Sequence, residues 1–354
     1  MDFSSYVSRF DTVVDCRSPS EFAEDHIPGA ISAPVLDDAE RVAVGTLYKA
    51  SPFEAKKLGA ALVAKNVARH VETIFAGKGR AWRPLVYCWR GGKRSGAMAH
   101  ILREIGWDAQ TLPGGYRSYR KSVVEALLEL PSRLDFRVIH GPTGSGKSRL
   151  LAALRGAGAQ VLDLEELAAH RGSVLGNLPG RPQPTQKWFE SQVLDQLSRF
   201  EPARLVFVEG ESKKIGQLQV PEALVAAMRA SSCVVLDTAI EVRVTLLLDE
   251  YRHFVENPAA LDARLDCLVG LHGRETIARW KSLAARGAWR DFVALLLMEH
   301  YDPAYRRSSL HNFVRLREAE RVPLGAGDER AFDAAARALV DAGQHAQVLH
   351  DTAA

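Results

Sequence analysis

The run Cys88-Trp89-Arg90-Gly91-Gly92-Lys93-Arg94-Ser95 sets one thiol beside three cations and two glycines. Pro84-Leu85-Val86-Tyr87 ahead of it reads as a strand, and the stretch from about Arg94 to Ile105 as a helix closed by Gly106. A thiol at such a junction sits where backbone N–H groups converge and a helix N-terminus presents partial positive charge. Arg90, Lys93 and Arg94 add formal charge. All of this favours thiolate over thiol, and the thiolate is the nucleophile. Gly91 and Gly92 let the loop curl with its amides inward, forming a nest for an anion. Cys88 is therefore the expected catalytic residue, with Trp89 to Ser95 as the anion loop.

A second constellation is Gly141-Pro142-Thr143-Gly144-Ser145-Gly146-Lys147-Ser148, a complete G-x4-G-K-S. The strand Phe136–His140 before it and the helix from Arg149 to Leu154 after it are the context a Walker A loop requires. Its glycines let backbone N–H groups wrap a diphosphate, Lys147 reaches the phosphate oxygens, and Ser148 could ligate Mg²⁺. The motif specifies a diphosphate-like group and not a nucleoside triphosphate. Its expected partner is an acid at a strand end. Glu209 follows the apolar run Leu205–Val208 where Asp is usual, while Asp163 and Asp237 compete with it. The residues leave those three unranked, and leave room for a loop that binds a diphosphate ester without hydrolysing ATP.

Both constellations need a sheet to hold them. Thr12–Val14 reads as a buried strand, and the apolar spacing of Leu58, Leu62, Val63 and Val67 predicts a long helix between Ser51 and Ile74. Thr111-Leu112 and the turn Pro113-Gly114-Gly115 lead into a helix over about Arg117–Leu130. Pro131-Ser132-Arg133 is the expected boundary, giving one domain over 1–130 and a second over 131–354. Strands at Gln160–Leu162, Leu205–Val208 and Val234–Leu236 form the second α/β unit. From Ile240 to about His300 the pattern is mainly helical, and Ala331–Ala342 reads as a terminal helix followed by a frayed end. Alternation of this kind predicts parallel sheets with helices on their faces.

Composition sets outer bounds. At 354 residues, 47% hydrophobic and 25% charged, the chain has the make-up of a soluble two-domain protein. No apolar run approaches the roughly 18–20 residues of a membrane span, and Met1–Phe10 has no signal-peptide apolar stretch. Cys16, Cys88, Cys233 and Cys267 are widely spaced with no CxxC pair, which argues against a disulfide framework or structural zinc. The cytoplasm is the expected location. Net charge is +3, but its distribution is uneven: Arg41 to Lys121 holds sixteen Lys and Arg against four Asp and Glu. On one face, such a block would attract a polyanion.

Asp15-Cys16-Arg17-Ser18-Pro19, Glu21-Phe22 and His26-Ile27-Pro28-Gly29-Ala30 resemble the N-terminal signature of rhodanese domains, in which Cys88 matches the persulfide-forming cysteine. By that resemblance Asp15 and Arg17 are architectural, and Cys16 points into the fold. Arg94 lies six residues after Cys88 instead of the usual five, a longer loop similar to that of the related cell-cycle phosphatases. It should hold an oxyanion of phosphate or selenophosphate size.

Further segments extend the likeness: Val44-Gly45-Thr46-Leu47-Tyr48-Lys49, Leu112-Pro113-Gly114-Gly115-Tyr116-Arg117, His170-Arg171-Gly172-Ser173, Gln183-Pro184-Thr185-Gln186, Glu209 to Gly216 and His300-Tyr301-Asp302-Pro303-Ala304-Tyr305. With the rhodanese–P-loop order, these resemble the bacterial tRNA 2-selenouridine synthase family over most of the chain. The resemblance implies a transferase that replaces sulfur of wobble 2-thiouridine in tRNA by selenium from selenophosphate, through S-geranylation with geranyl diphosphate. It makes those two compounds co-substrates, with Mg²⁺ a candidate ion and a selenophosphate-supplying enzyme a candidate partner. Trp89 would stack on the flipped base or anchor the loop, and Arg171, Lys213 and Lys214 would contact phosphate or face solvent. His300, Tyr301 and Tyr305 read as packing, and the helical stretch could line a tunnel for a prenyl chain. The alternatives are a rhodanese-fold phosphatase or a sulfurtransferase coupled to a P-loop module.

Overall fold

The structure is a computed structural model that describes residues 3–173 and 175–351, without the side chains of residues 4, 308–312, 314 and 344–351. The chain divides into two compact units: Met1–Leu127 with Pro184–Asp195, and Leu128–Gln183 with Gln196–Ala354.

The first unit is built on four parallel strands: β1 (Thr12–Asp15), β2 (Ile31–Ser32), β3 (Pro84–Tyr87) and β4 (Gln110–Thr111), in the order β2-β1-β3-β4. The central pair, β1 and β3, is buried on both faces, as a sheet covered on both sides demands. Helices Pro52–Glu72, Lys93–Glu104 and Gly115–Glu129 supply the cover. Val67, Phe75, Trp82, Met98 and Leu102 close the core around the strand ends. The long helix stands where the apolar spacing predicted it. A further helix, Asp38–Ala50, has no buried residue and starts in a capping box between Asp37 and Glu40.

Helix Gln186–Leu197 starts in the segment that groups with this unit. His26 stacks between Phe22 and Trp188, with ring centroids 3.8 and 3.9 Å away. Lys187 pairs with Glu24 at 2.6 Å, and Arg120 pairs with Glu190.

In the second unit the strands are β5 (Phe136–His140), β6 (Gln160–Leu162), β7 (Val206–Glu209), the short hairpin β8 (Lys214–Ile215) and β9 (Leu218–Gln219), then β10 (Ser232–Thr238) and β11 (Glu320–Leu324). The main sheet is parallel in the order β11-β10-β5-β7-β6. Its interior strand β5 feeds the Gly141–Ser148 loop, so the loop emerges at the carboxyl end of the sheet, where ligands of such folds bind. Helix Lys147–Gly156 buries Leu150, Leu151 and Leu154 against the sheet. A separate helical core gathers around Trp280, Leu265 and Leu296. The terminal helix runs from Glu329 to Asp351, well past Ala342. The frayed end expected after Ala342 is therefore replaced by helix, and residues 352–354 lie outside the described residues. Among the described residues no helix is long and apolar enough to cross a membrane.

Candidate active sites

β3 ends at Tyr87 and helix Lys93–Glu104 starts with Gly92 as its cap, so Cys88 lies at the mouth of the turn. Gly91 has φ +67°, and a Cβ there would meet the Leu112 carbonyl oxygen at 2.5 Å, so the loop can pass this close to Leu112 only with glycine. Cys88 is 4% exposed and its Sγ stands 3.2 Å from Ser95 Oγ. A hydrogen bond from the Cys16 thiol is the largest influence lowering the Cys88 thiol, to about 4. Ser95 through its hydroxyl and N–H, and the Gly92 N–H, act in the same direction, against burial, which raises it. At neutral pH Cys88 is a thiolate held by donors. A thiol lowered in this way is more reactive at neutral pH than an ordinary one.

Arg94 behaves differently from the cation that the sequence suggests. Its guanidinium bonds Glu21 at 2.7 and 3.3 Å, and Glu21 also takes Arg41 at 3.2 Å. Glu21 is thereby held below the usual carboxylate range: burial, which raises it, is outweighed by Arg94. Arg94 is thus fixed at the loop by the carboxylate of the Glu21-Phe22 signature pair, while Arg90 and Lys93 are exposed. Trp89 is 37% exposed and rests on Tyr116 at 5.3 Å, so it is a surface ring and not a core anchor. Asp15 and Arg17 form a buried pair at 2.6 Å, with Arg17 also donating to the Asp25 carbonyl at 2.5 Å, which ties the β1 end to the next turn.

In the second unit Gly146 has φ +89°, and a Cβ there would strike the Phe332 ring at 2.5 Å. The loop is braced from behind by the buried Arg243, which donates to the Thr143 carbonyl at 2.9 and 3.0 Å and pairs with Asp302 at 2.6 Å. Thr238 Oγ1 donates to the Ser145 carbonyl at 3.0 Å. Lys147 Nζ rests on the Gly141 carbonyl at 3.1 Å, and Ser148 Oγ donates to Glu165 at 3.2 Å.

Around this loop lies a cavity of about 680 Å³ that Lys147, Ser148, Glu165, Glu211 and Arg171 help to line. Its size is that of a small-molecule site. Of the acids weighed from sequence, Glu209 is buried behind it, accepting the Glu165 N–H at 2.7 Å with Oε1. Glu209 Oε2 has no partner among the described residues. Asp163 caps the short helix Leu164–Leu167 through the Glu166 N–H at 2.9 Å. Asp237 is exposed on β10 and faces Arg321 at 3.9 Å. The acids at the cavity wall are Glu250 and the pair Glu165 and Glu211, each member of that pair two residues past one of those candidates. That i, i+2 spacing after β6 and β7 was the signal available in the sequence.

Burial pushes Glu165 up to about 8, with the Glu211 charge adding to it, and burial also raises Glu209 and Glu211. No three His, Cys, Asp or Glu among the described residues are arranged to hold a metal by themselves. Ser148 and Glu165 do fit a Mg²⁺ that takes its other oxygens from a diphosphate and water.

His300, Tyr301 and Tyr305, read from sequence as packing, line the same cavity. The π-helical turn Leu297–Tyr301 carries the first two, and His300 Nδ1 lies 2.9 Å from His272 Nε2. Arg171 also lines it, held over the Tyr251 ring at 4.7 Å and bonded to the Glu250 carbonyl at 2.7 Å. Lys213 stands 3.8 Å from Glu222, and Lys214 is exposed on β8. An apolar hollow of about 50 Å³, with Phe254, Trp289 and Phe292 in its wall, shares Thr143, Leu247, Tyr251 and Tyr301 with the cavity.

A thiolate loop on one parallel sheet and a phosphate loop on another define a rhodanese-like domain followed by a P-loop domain. The Rhodanese-like domain model matches residues 4–122, and the tRNA 2-selenouridine synthase AAA domain model matches residues 134–264. The chain is 35% identical to a tRNA 2-selenouridine synthase of Nitrosomonas europaea, over 68% of this chain and 63% of that one. It is 32% identical to those of Shewanella loihica, over 83% and 86%, and of Sulfurovum sp., over 89% and 93%. The chain belongs to the tRNA 2-selenouridine synthase family. It spans just under two thirds of the length of the Nitrosomonas europaea and Bdellovibrio bacteriovorus relatives, 63% and 64%.

Proposed function

We propose that this chain is a transferase that converts wobble 2-thiouridine of tRNA into 2-selenouridine. The observation that carries the reading is family membership across both domains, each with its reactive loop intact. The Gly141–Ser148 loop would take the diphosphate of geranyl diphosphate, with Lys147 and the loop amides neutralising the charge that develops as it leaves. The prenyl chain would run along Leu247, Tyr251 and Tyr301 towards the apolar hollow beside the loop. That continuity of a phosphate cradle with an apolar wall favours an amphiphilic diphosphate over a nucleotide. Mg²⁺, where bound, would sit between Ser148, Glu165 and the diphosphate.

Alkylation turns the nucleobase sulfur into a leaving thiol. The Cys88 loop would then hold selenophosphate, with Ser95, the loop amides and the Glu21-fixed Arg94 around its oxygens, and Cys88 would either attack selenium or help expel the geranyl thiol. Trp89, an exposed ring beside the thiolate, is suited to stack on the extruded base. Exposed Lys49, Lys56, Lys65, Arg69, Arg90 and Lys93 would meet tRNA phosphates.

The test is mass analysis of wobble nucleosides from 2-thiouridine tRNA incubated with geranyl diphosphate, with selenophosphate, and with both. Geranylated thiouridine in the first and selenouridine in the third is the expected result. Cys88→Ala should block the second step alone, and Lys147→Ala the first. Unchanged nucleosides with a folded protein would overturn the reading, and aryl phosphate cleavage lost in Cys88→Ser would replace it by a phosphatase.

A further inference from the structure

Cys16 lies one residue past β1 and Cys88 one past β3, and these strands pair in parallel with Asp15 opposite Tyr87. The Cys16 N–H donates to the Tyr87 carbonyl at 3.0 Å, so the pairing carries on to the two cysteines. Neighbouring strands run about 4.8 Å apart, within the roughly 4.4–6.8 Å between Cα atoms that a disulfide accepts. Both side chains enter the same core cluster, and each thiol shifts the other's ionisation. Cys16 is fully buried, whereas Cys88 reaches solvent at the loop mouth. A small oxidant therefore meets Cys88 first, with a second thiol already at its back. Cys233 and Cys267 belong to the other unit.

We propose that Cys16 is a resolving thiol: once a hydroperoxide has oxidised Cys88, the two close to a disulfide that protects the nucleophile and that a dithiol reopens. The Cys88 thiolate attacks the outer peroxide oxygen and the O–O bond breaks. Cys88 becomes a sulfenic acid, and the departing alkoxide or hydroxide takes a proton from solvent. Cys16 sulfur then attacks Cys88 sulfur, the S–O bond breaks, and hydroxide leaves with the Cys16 proton as water. Two thiols lose two electrons and the peroxide gains them. A dithiol returns both electrons and ends as its own disulfide. Burial holds the Cys16 thiol well above its ordinary range, so it stays protonated and unreactive until the sulfenic acid forms beside it. Without such a neighbour, a sulfenic acid under continued peroxide passes to the sulfinic state, which thiols do not reverse.

The experiment treats the purified full chain with hydrogen peroxide and follows intact mass and a non-reducing peptide map. Expected is the loss of two hydrogens, a peptide joining Cys16 to Cys88, and full recovery of alkylatable Cys88 after dithiothreitol. In Cys16→Ser and Cys16→Ala the same treatment should add two oxygens to Cys88, with dithiothreitol recovering none of it. The serine variant keeps the side-chain size should the alanine variant fail to fold, and the wild-type map is decisive without either. Cys88 gaining two oxygens equally in wild type and variants would overturn the proposal. So would bridges found only between molecules or to Cys267.

Discussion

The Cys88 loop and the Gly141–Ser148 loop are the same device, a strand–loop–helix turn that aims backbone N–H groups at an anion. They differ in what surrounds the amides. Around Cys88 the donors outnumber the acceptors, and the thiol is drawn down to about 4. Around Lys147 the cavity wall carries Glu165, Glu211 and Glu250 with Glu209 buried behind it, and burial drives these carboxyls up, Glu165 to about 8. The first loop holds its own anion. The second holds an excess of acid that a cation with a diphosphate would balance. One backbone geometry thus surrounds a lowered thiol in one unit and raised carboxyls in the other.

The comparison breaks most visibly at the brace behind the second loop. Arg243→Met leaves Asp302 and the Thr143 carbonyl unpartnered, and losing one member of a buried pair costs about 3–5 kcal/mol. Differential scanning calorimetry should show a melting temperature roughly 6–20 °C lower, and an unchanged value would refute the bracing role.

Next in size is the thiolate itself. Alkylation of Cys88 by iodoacetamide should be nearly flat from pH 5.5 to 7.5, because the thiolate is already fully populated above its low pKa. An ordinary thiol near 8.5 gains about 100-fold over the same span, and a Cys88 profile of that shape would erase the contrast between the loops.

Lys147→Ala should weaken Mg–diphosphate binding roughly 10- to 100-fold by calorimetric titration, the worth of a hydrogen bond to a charged group. Equal affinity would remove the lysine from the cradle.

The smallest effect tests the acid excess. Glu165 binds its proton more tightly folded, near 8, than at the ordinary 4.5. The folded state therefore holds more protons between those values, and stability falls as pH rises through that window. Glu165→Gln removes the loss, which solvent at this partly exposed carboxyl screens to about 1–1.5 kcal/mol, so it should melt roughly 2–6 °C above wild type at pH 8 and close to it at pH 5. Identical shifts at both pH values would sink the assignment.

Much of this was readable beforehand because it is local. Strands Phe136–His140, Pro84–Tyr87 and Gln160–Leu162 fall where apolar runs end at turn residues, and both loops stand where their motifs put them. Helix Asp38–Ala50 escaped because none of its residues is fully buried and its apolar face is narrow, with Val44 and Leu47 half-buried, although the Asp37–Glu40 box marked its start. β11 escaped because Glu320, Arg321 and Pro323 read as loop. An edge strand tolerates all three, since its outer side needs neither an apolar face nor every N–H.

What the sequence determined by itself was the chemistry of each loop: a thiol among donors, a glycine cradle with its lysine, and the parallel sheets that hold them. Residue type and near-neighbour spacing suffice for that. Tertiary structure alone decided which distant groups reach the loops. It brought Glu21 to Arg94 and Arg243 to Thr143, put Cys16 behind Cys88, set Glu165 and Glu211 at the cavity wall, and folded residues 184–195 with the first unit. Those pairings depend on strand order and packing across many residues of chain, and no local spacing encodes them.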